Sequence, residues 1–519
     1  MHTNKTKIPA AFGFSPQADA ATNVAALQAA LDGGGLVIID APGVYDLNDT
    51  VFLDSDTRLV CAPGVVFRKV APYCNVLVNR GALTRTYNEN IAIEGLEVSV
   101  NGQEAMPTLI RGLRAQLGFF YVQGLTLRDV TCVDGGPQQY LVYIVTWSHL
   151  RLENVRLAGD KDGLKLNNGH DAVIRDLDLT TYDDGLSLCG TDYASTLLEV
   201  GDVYNVRYVN VTDHQYKNIF GRTCLIYTGS WADYQRGNEY GSGDFCLHEG
   251  KLYQVVSNGG FMAEASEAPA HLDGITTGAD GIPWRYVQPC DFHQTNVYNV
   301  TFDNCTFEKS GNIIANFSVP DWYYRTREGI HRPSYPGTES NTSCWGLTLT
   351  NCRLNGKGPQ VLVNAMGNLK DVTLNACHIS NPHSTLINVD ESSTTGDLVA
   401  CITGCVFATD LAGPPAEPLP DHQDCPLPRR DMEDTGKLVA VHNGGKVCCS
   451  AAGNSYRGSA LECTVSHGSQ LRFTALDMPL KDRAVLTPAV GDVCRGTDGL
   501  WVYTAAGWSN LAAGGQGER

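Results

Sequence analysis

One short phrase of apolar and polar positions recurs along the chain. Two apolar residues flanking a variable one are followed by Asn, Asp or Glu, then by an apolar residue or Cys and a polar turn. It reads Leu125-Thr126-Leu127-Arg128-Asp129-Val130, Leu150-Arg151-Leu152-Glu153-Asn154-Val155 and Val173-Ile174-Arg175-Asp176-Leu177. It returns as Val206-Arg207-Tyr208-Val209-Asn210-Val211, Val300-Thr301-Phe302-Asp303-Asn304-Cys305, Leu347-Thr348-Leu349-Thr350-Asn351-Cys352 and Val372-Thr373-Leu374-Asn375. Alternating β-branched residues set strands, and the Asn, Asp and Gly between them set turns. Successive phrases lie mostly about 23 to 33 residues apart, where self-similarity signals a solenoid. Such a coil cannot bury its apolar face alone, whereas coils stacked about 4.8 Å apart can. No helical period runs through the repeats. The pattern predicts an all-β chain folded as a right-handed parallel β-helix.

One helix interrupts this rhythm, Asn23-Val24-Ala25-Ala26-Leu27-Gln28-Ala29-Ala30-Leu31, stopped by Asp32-Gly33-Gly34-Gly35. A short Ala/Leu helix there would cap the open apolar end of the stack. The gap between Val206 and Val300 leaves room for an inserted aromatic β module near Trp231 to Pro289. The expected organisation is a cap and first coil over 1–50 and β-helix over 51–230. The module over 231–290, β-helix over 291–480 and a small β unit over 481–519 follow. A further loop carries Trp322-Tyr323-Tyr324, and long loops of this kind are usually functional or disordered.

Composition narrows the picture. Hydrophobic content of 43% with 18% charged residues suits a folded, soluble protein. No window approaches eighteen unbroken apolar residues, so no membrane span is expected. The net charge of −18 argues against nucleic acid as a partner, because phosphate recognition needs basic stripes. It also makes a strongly anionic polymer an awkward substrate, unless basic residues gather locally. The start, Met1-His2-Thr3-Asn4-Lys5, has no apolar run, so no secretory leader is visible. An intracellular protein, a virion protein and a chain trimmed of its leader all fit; the chemistry below favours the extracellular option. Of the 18 cysteines, Cys305, Cys352, Cys377 and Cys405 fall at one position of the repeat. They read as small hydrophobes in an internal stack, free thiols and not a disulfide framework. Paired C-x-x-C zinc spacing is absent.

The most chemically loaded stretch is Asp160-Lys161-Asp162-Gly163-Leu164-Lys165-Leu166, followed by Tyr182-Asp183-Asp184-Gly185-Leu186-Ser187-Leu188. Asp-Gly-Leu-x-Leu repeats here with an offset of 22 residues, about one coil, so Asp162 should stack on Asp184 with Asp183 beside them. Strict alternation would point Asp184 inward, so a bend at Gly163 and Gly185 must re-aim the carboxylates outward. Three clustered carboxylates repel, and at least one should keep its proton to higher pH. A protonated carboxyl beside ionised ones is the division of labour that glycoside hydrolysis needs. A separation of roughly 6.5–9.5 Å favours inversion. Asp-Gly at a corner is also ordinary turn chemistry. Lys165 and Ser187 should point outward as substrate contacts.

These features resemble the polygalacturonase family, glycoside hydrolase family 28, on the pectin-lyase-like β-helix. That family carries Asn-Thr-Asp-Gly and, one coil later, Gly/Gln-Asp-Asp. Asp160-Lys161-Asp162-Gly163 and Tyr182-Asp183-Asp184 would match them, over a similarity spanning residues 10–230 and 291–410. The resemblance implies that Asp183 is the general acid and that Asp162 and Asp184 hold the attacking water. Lys161 stands where the family has Thr, and a cation there would lower the Asp183 pKa and weaken it as an acid. The family's Gly-His-Gly is not recognisable, His214 being the nearest histidine. Its Arg-Ile-Lys has a loose echo in Arg222 to Tyr227. Lys165, Arg222, His214, Tyr227 and Trp322 are thus the candidate substrate contacts, and Arg222 reads equally as a salt-bridge partner. The carboxylates could instead hold Ca²⁺, which Lys161 opposes.

The expected function is hydrolysis of a polysaccharide or oligosaccharide with inversion, without a cofactor, by a monomer or homotrimer. Rivals are a trimeric tailspike-like glycan-binding protein or depolymerase, a β-eliminating polysaccharide lyase, and a binding protein with a dead site.

Overall fold

The computed structural model describes residues 6–216, 221–257, 261–319, 343–389, 398–409, 411, 436–458 and 460–511. The chain is a right-handed parallel β-helix whose coils each lay down three strands, one on each of three faces. Gly35–Ile39, Gly43–Leu47 and Val51–Leu53 pair in parallel with the next coil's Thr57–Cys61, Val65–Lys69 and Leu77–Asn79. The same threefold pairing runs on through Lys446–Ala452, Ser455–Tyr456 and Cys463–Val465. On the first face, Ile174, Tyr208, Phe302, Leu349, Leu374 and Ile402 lie in register and fully buried. Tyr208 and Phe302 stack with ring centroids 4.8 Å apart, matching the separation of neighbouring strands.

The polar letter of the repeat has a backbone cause. Asp129, Asn154, Asp176, Asn210, Asn304 and Asn351 turn the chain from the first face to the second, each with φ between 51° and 56°. That left-handed conformation costs most L residues about 1–2 kcal/mol, while Asn and Asp tolerate it. Their exposed side chains bond along the stack: Asn154 Nδ2 donates to Asp129 Oδ1 (2.6 Å), Asn210 Nδ2 to Asp176 Oδ1 (2.5 Å) and Asn351 Nδ2 to Asn304 Oδ1 (3.0 Å). Ala376 (φ 52°) breaks this series without such compensation, and Gly404 follows it. The next residue turns inward, and there Cys305, Cys352, Cys377 and Cys405 are buried free thiols. Cys352 Sγ donates to Phe302 O, and Cys377 Sγ to Leu349 O, both at 3.5 Å.

The helix runs Ala20–Leu31, opened by Asp19, whose side chain accepts from Thr22 N at 2.9 Å. Ala26, Leu27, Ala30 and Leu31 close the first end of the core. The second half of the stack follows the first without a break, since Val206 pairs directly with Val300. The intervening segment leaves through a short antiparallel stem, Gly229 opposite Thr295 and Ser230 opposite Gln294. It forms its own five-stranded sheet from Ala232–Asp233, Phe245–His248, Lys251–Val255, Ile275–Thr277 and Pro283–Pro289. At the other end, Val493–Gly496 pairs with Gln470–Leu480 and carries a hairpin, Gly499–Thr504 with Gly507–Asn510. The C-terminal unit thus continues the main sheet. Among the described residues, no helix is long and apolar enough to cross a membrane.

Candidate active site

The Asp pair lies at the corner between the second and third faces. Leu164 pairs with Leu186, which pairs with Cys224, and Leu164, Leu166, Leu186 and Leu188 fill the core. Asp162 and Asp184 therefore fall on adjacent coils, tied by Gly163 N donating to Asp184 O at 2.9 Å. Gly163 and Gly185 do not use positive φ; they permit close approach. A Cβ on Gly163 would meet Gly185 O at 2.5 Å, and one on Gly221 would meet the Asp183 carbonyl carbon at 2.0 Å. The coils are thus drawn tight at this corner, and the carboxylates are buried there and not turned out to solvent.

One carboxylate oxygen from each of Asp162, Asp183 and Asp184 lies within 4.8 Å of the others. All three residues are buried, at 4%, 7% and 3% exposure. Lys161 is the more open member, its side chain 20% exposed; it pairs with Asp183 and stands 3.5 Å from Asp162 Oδ1. Ser187 Oγ donates to Asp162 Oδ2 at 3.2 Å, and Arg222 N donates to Asp184 Oδ1 at 2.7 Å. These partners split the three carboxyls. Burial pushes Asp162 up to about 7 against the opposing pull of Lys161, with Asp183 and Asp184 adding repulsion. Burial would raise Asp183 too, but Lys161, Arg222 and Lys309 outweigh it and hold it below the usual range. Burial raises Asp184 against the pull of Arg222. Three convergent oxygens could also meet a cation, but here the ammonium of Lys161 supplies the positive charge.

The candidate substrate contacts part company. Arg222 belongs to the cluster: its guanidinium stands 3.5 Å from Asp184 Oδ1 and 5.0 Å from the Phe317 ring centroid. Lys165 does point away from the core, but it is 2% exposed and not an open contact. Its Nζ pairs with Asp192 at 2.9 Å and sits 4.7 Å from the Tyr140 ring centroid. Tyr227 is likewise buried, its hydroxyl bonded to that of Tyr193. The segment holding Asp192 and Tyr193 covers both. His214 bonds instead to Glu308 (2.9 Å) and Asp178 (3.0 Å). Trp322 lies outside the described residues. A half-buried ring ladder, His170, Tyr204, Tyr298 and Trp345, stacks at 4.4–4.9 Å between neighbouring coils, and each ring covers its neighbour's face.

Lys309 completes the site and was not singled out from the sequence. Fully buried, it donates to Asp183 O at 2.6 Å and to Thr181 Oγ1 and Arg222 O at 3.4 Å. Beneath it Asp213 is buried, accepting from Thr223 Oγ1 at 2.6 Å.

No protein-family model and no curated protein sequence matches this chain. Solved structures do. The surface adhesin PfbA of Streptococcus pneumoniae is similar over 97% of this chain and 98% of its own, at 13% identity and TM-score 0.41. The family 28 exopolygalacturonase of Yersinia enterocolitica is similar over 78% and 75%, at 12% identity and TM-score 0.40. A tailspike protein mutant of Escherichia coli bacteriophage HK620 is similar over 89% and 69%, at 11% identity and TM-score 0.45.

Proposed function

We propose that the Asp162–Asp183–Asp184 corner hydrolyses glycosidic bonds of an oligosaccharide or polysaccharide. The observation that supports this reading is a single one. Three carboxyls share a corner within 4.8 Å, and their surroundings drive their protonation apart. Asp162, poised near neutrality, donates the proton to the departing oxygen. Asp183, kept ionised by Lys161, accepts a proton from water, and Asp184 orients that water. The acid is thus Asp162 and not Asp183, because Lys161 sits on Asp183. The oxygens stand closer than the roughly 6.5–9.5 Å between the opposed carboxyls of an inverting site, so inversion draws no support from this geometry. A sugar approaching Asp162 meets Lys161 first.

A second reading, glycan binding without cleavage, is favoured by the near-complete burial of the three carboxylates and by the hold of Lys161 on Asp183. Reducing-sugar release across plant, algal and bacterial glycans separates the two, using wild type, Asp162→Asn and Asp183→Asn. Release by wild type that falls at least about 100-fold in both variants supports hydrolysis. Tight binding to one glycan without release supports binding alone. Equal release by wild type and Asp162→Asn would place the acid elsewhere, and a new ultraviolet-absorbing unsaturated end would indicate a lyase.

A further inference from the structure

A cavity of about 480 Å³ lies between the inserted module and the flank of the stack, a size typical of small-ligand sites. Arg85 from the stack, Arg111 from the loop beside it and Arg285 from the module's Pro283–Pro289 strand all line it. In a chain with 38 basic and 56 acidic residues, three guanidiniums on one cavity call for a reason. Two are held in place by the fold. Arg285 is buried and donates to Ala194 O at 3.1 Å and Gln254 Oε1 at 2.6 Å. Arg85 donates to Val287 O at 3.0 Å and stands 3.7 Å from Glu199 Oε1. Arg111 is exposed, and among the described residues none bonds or pairs with it.

The acids that line the cavity do not balance these charges. Three guanidiniums face two acids: Glu199, which stands beside Arg85 and accepts from Tyr121 Oη at 2.6 Å and Thr146 Oγ1 at 2.7 Å, and the exposed Asp273. Burial, chiefly, pushes Arg285 down to about 10, and repulsion from Arg111 and Arg85 adds to it. An incoming anion would relieve that repulsion, and planar guanidiniums match a carboxylate through two parallel hydrogen bonds. The remaining wall is amphipathic, with Tyr286 and the half-exposed Ile275. A bare inorganic anion would leave most of that space as water, whereas a short acidic oligosaccharide would fill much more of it.

We infer that the Arg85–Arg111–Arg285 cavity binds an acidic saccharide through its carboxylate. Binding here needs no bond cleavage; only the choice of a saccharide rests on the proposed glycan chemistry. The inserted module thereby supplies the local gathering of basic residues that an acidic protein needs to hold an acidic sugar.

Calorimetric titration of the full chain carrying Asp183→Asn, which blocks turnover, provides the test. The probes are trigalacturonate, an alginate trisaccharide, sialyllactose, neutral maltotriose and sodium phosphate. At least one acidic sugar should bind while maltotriose does not. Added Arg111→Ala should weaken that binding at least tenfold, with Arg111→Lys restoring part of it. Arg111 makes no bond that the fold depends on, and an unchanged melting temperature checks this. Failure of all three acidic sugars to bind, undiminished binding after Arg111→Ala, or phosphate binding as tightly as the sugars would each overturn the inference. Arg111-dependent binding, together with no reducing-sugar release by the wild type, would leave the cavity's role intact and sink only hydrolysis.

Discussion

Two corners of the same coils stack acidic side chains, and they have opposite characters. Leaving the first face, Asp129 and Asp176 are exposed and each accepts a hydrogen bond from the asparagine one coil on. Entering the third face, Asp162, Asp183 and Asp184 are buried and answered by Lys161, Arg222 and Lys309. Residue type and coil spacing are shared. Exposure and partner are not. A carboxylate in water with an amide partner holds a turn; the same group out of water, beside like charges and a cation, becomes a reactive one. Stacking brings acids together, and burial decides what they do.

The largest effect should come from neutralising one acid at each corner. Asp162→Asn should cut turnover by about 10² to 10⁴, the usual worth of a positioned acid, while Asp176→Asn leaves it unchanged. Steady-state rates on the responding glycan decide this. Next is the buried cation. Lys161→Met removes the cation paired with Asp183 and nearest to Asp162, at a cost of about 3 kcal/mol at neutral pH by urea unfolding. That loss should shrink on acidification, as Asp183 takes up a proton.

The third contrast is in pH. Asp162 titrates at about 7 in the folded protein and at about 3.9 in an unfolded chain. Between those values the folded state keeps a proton that the unfolded state has lost. Its contribution to stability is therefore complete below about pH 4 and disappears as pH rises through 7. Asp183 runs the other way: its contribution is present above the ordinary carboxylate value and is lost as pH falls through its depressed one. Relative to Asp162→Asn, wild type should lose stability from pH 4 to 7.5, no more steeply than about 1.4 kcal/mol per pH unit. Parallel urea midpoints for both proteins across this range would exclude the proton on Asp162. The smallest effect belongs to the exposed corner. Ala376→Gly should stabilise the protein by about 1 kcal/mol, because Ala376 holds a left-handed conformation that Gly adopts freely. An unchanged unfolding midpoint would mean that the corner carries no strain there.

The exposed corner was legible because its signal is local. Each Asn or Asp in the phrase answers the backbone conformation of its own residue, so Asn154, Asn210 and Asn304 announce the coil wherever they occur. The meeting of Asp162 with Asp184 was legible for a related reason, a repeat of 22 residues matching one coil, seen as Leu164 against Leu186. What escaped comes from distant sequence. Lys309 reaches Asp183 from 126 positions away, after the inserted module. Asp192, which withdraws Lys165 from solvent, lies on a segment whose path across the third face no alternation encodes. Only which coil is neighbour to which could place His214 beside Glu308. Arg111 shows nothing in its local pattern, since its significance arises only where module and stack meet.

The stem at Gly229–Ser230 and Gln294–Thr295 bears on how such a protein can change through descent. The chain departs and returns at opposed positions of two antiparallel rungs, while Val206 already rests on Val300. The register of the coils does not depend on what hangs from that stem, although Arg85, Ala194 and Val200 of the stack bond to the module. Changes within the module can therefore leave the pairing register that forms the carboxylate corner as it is.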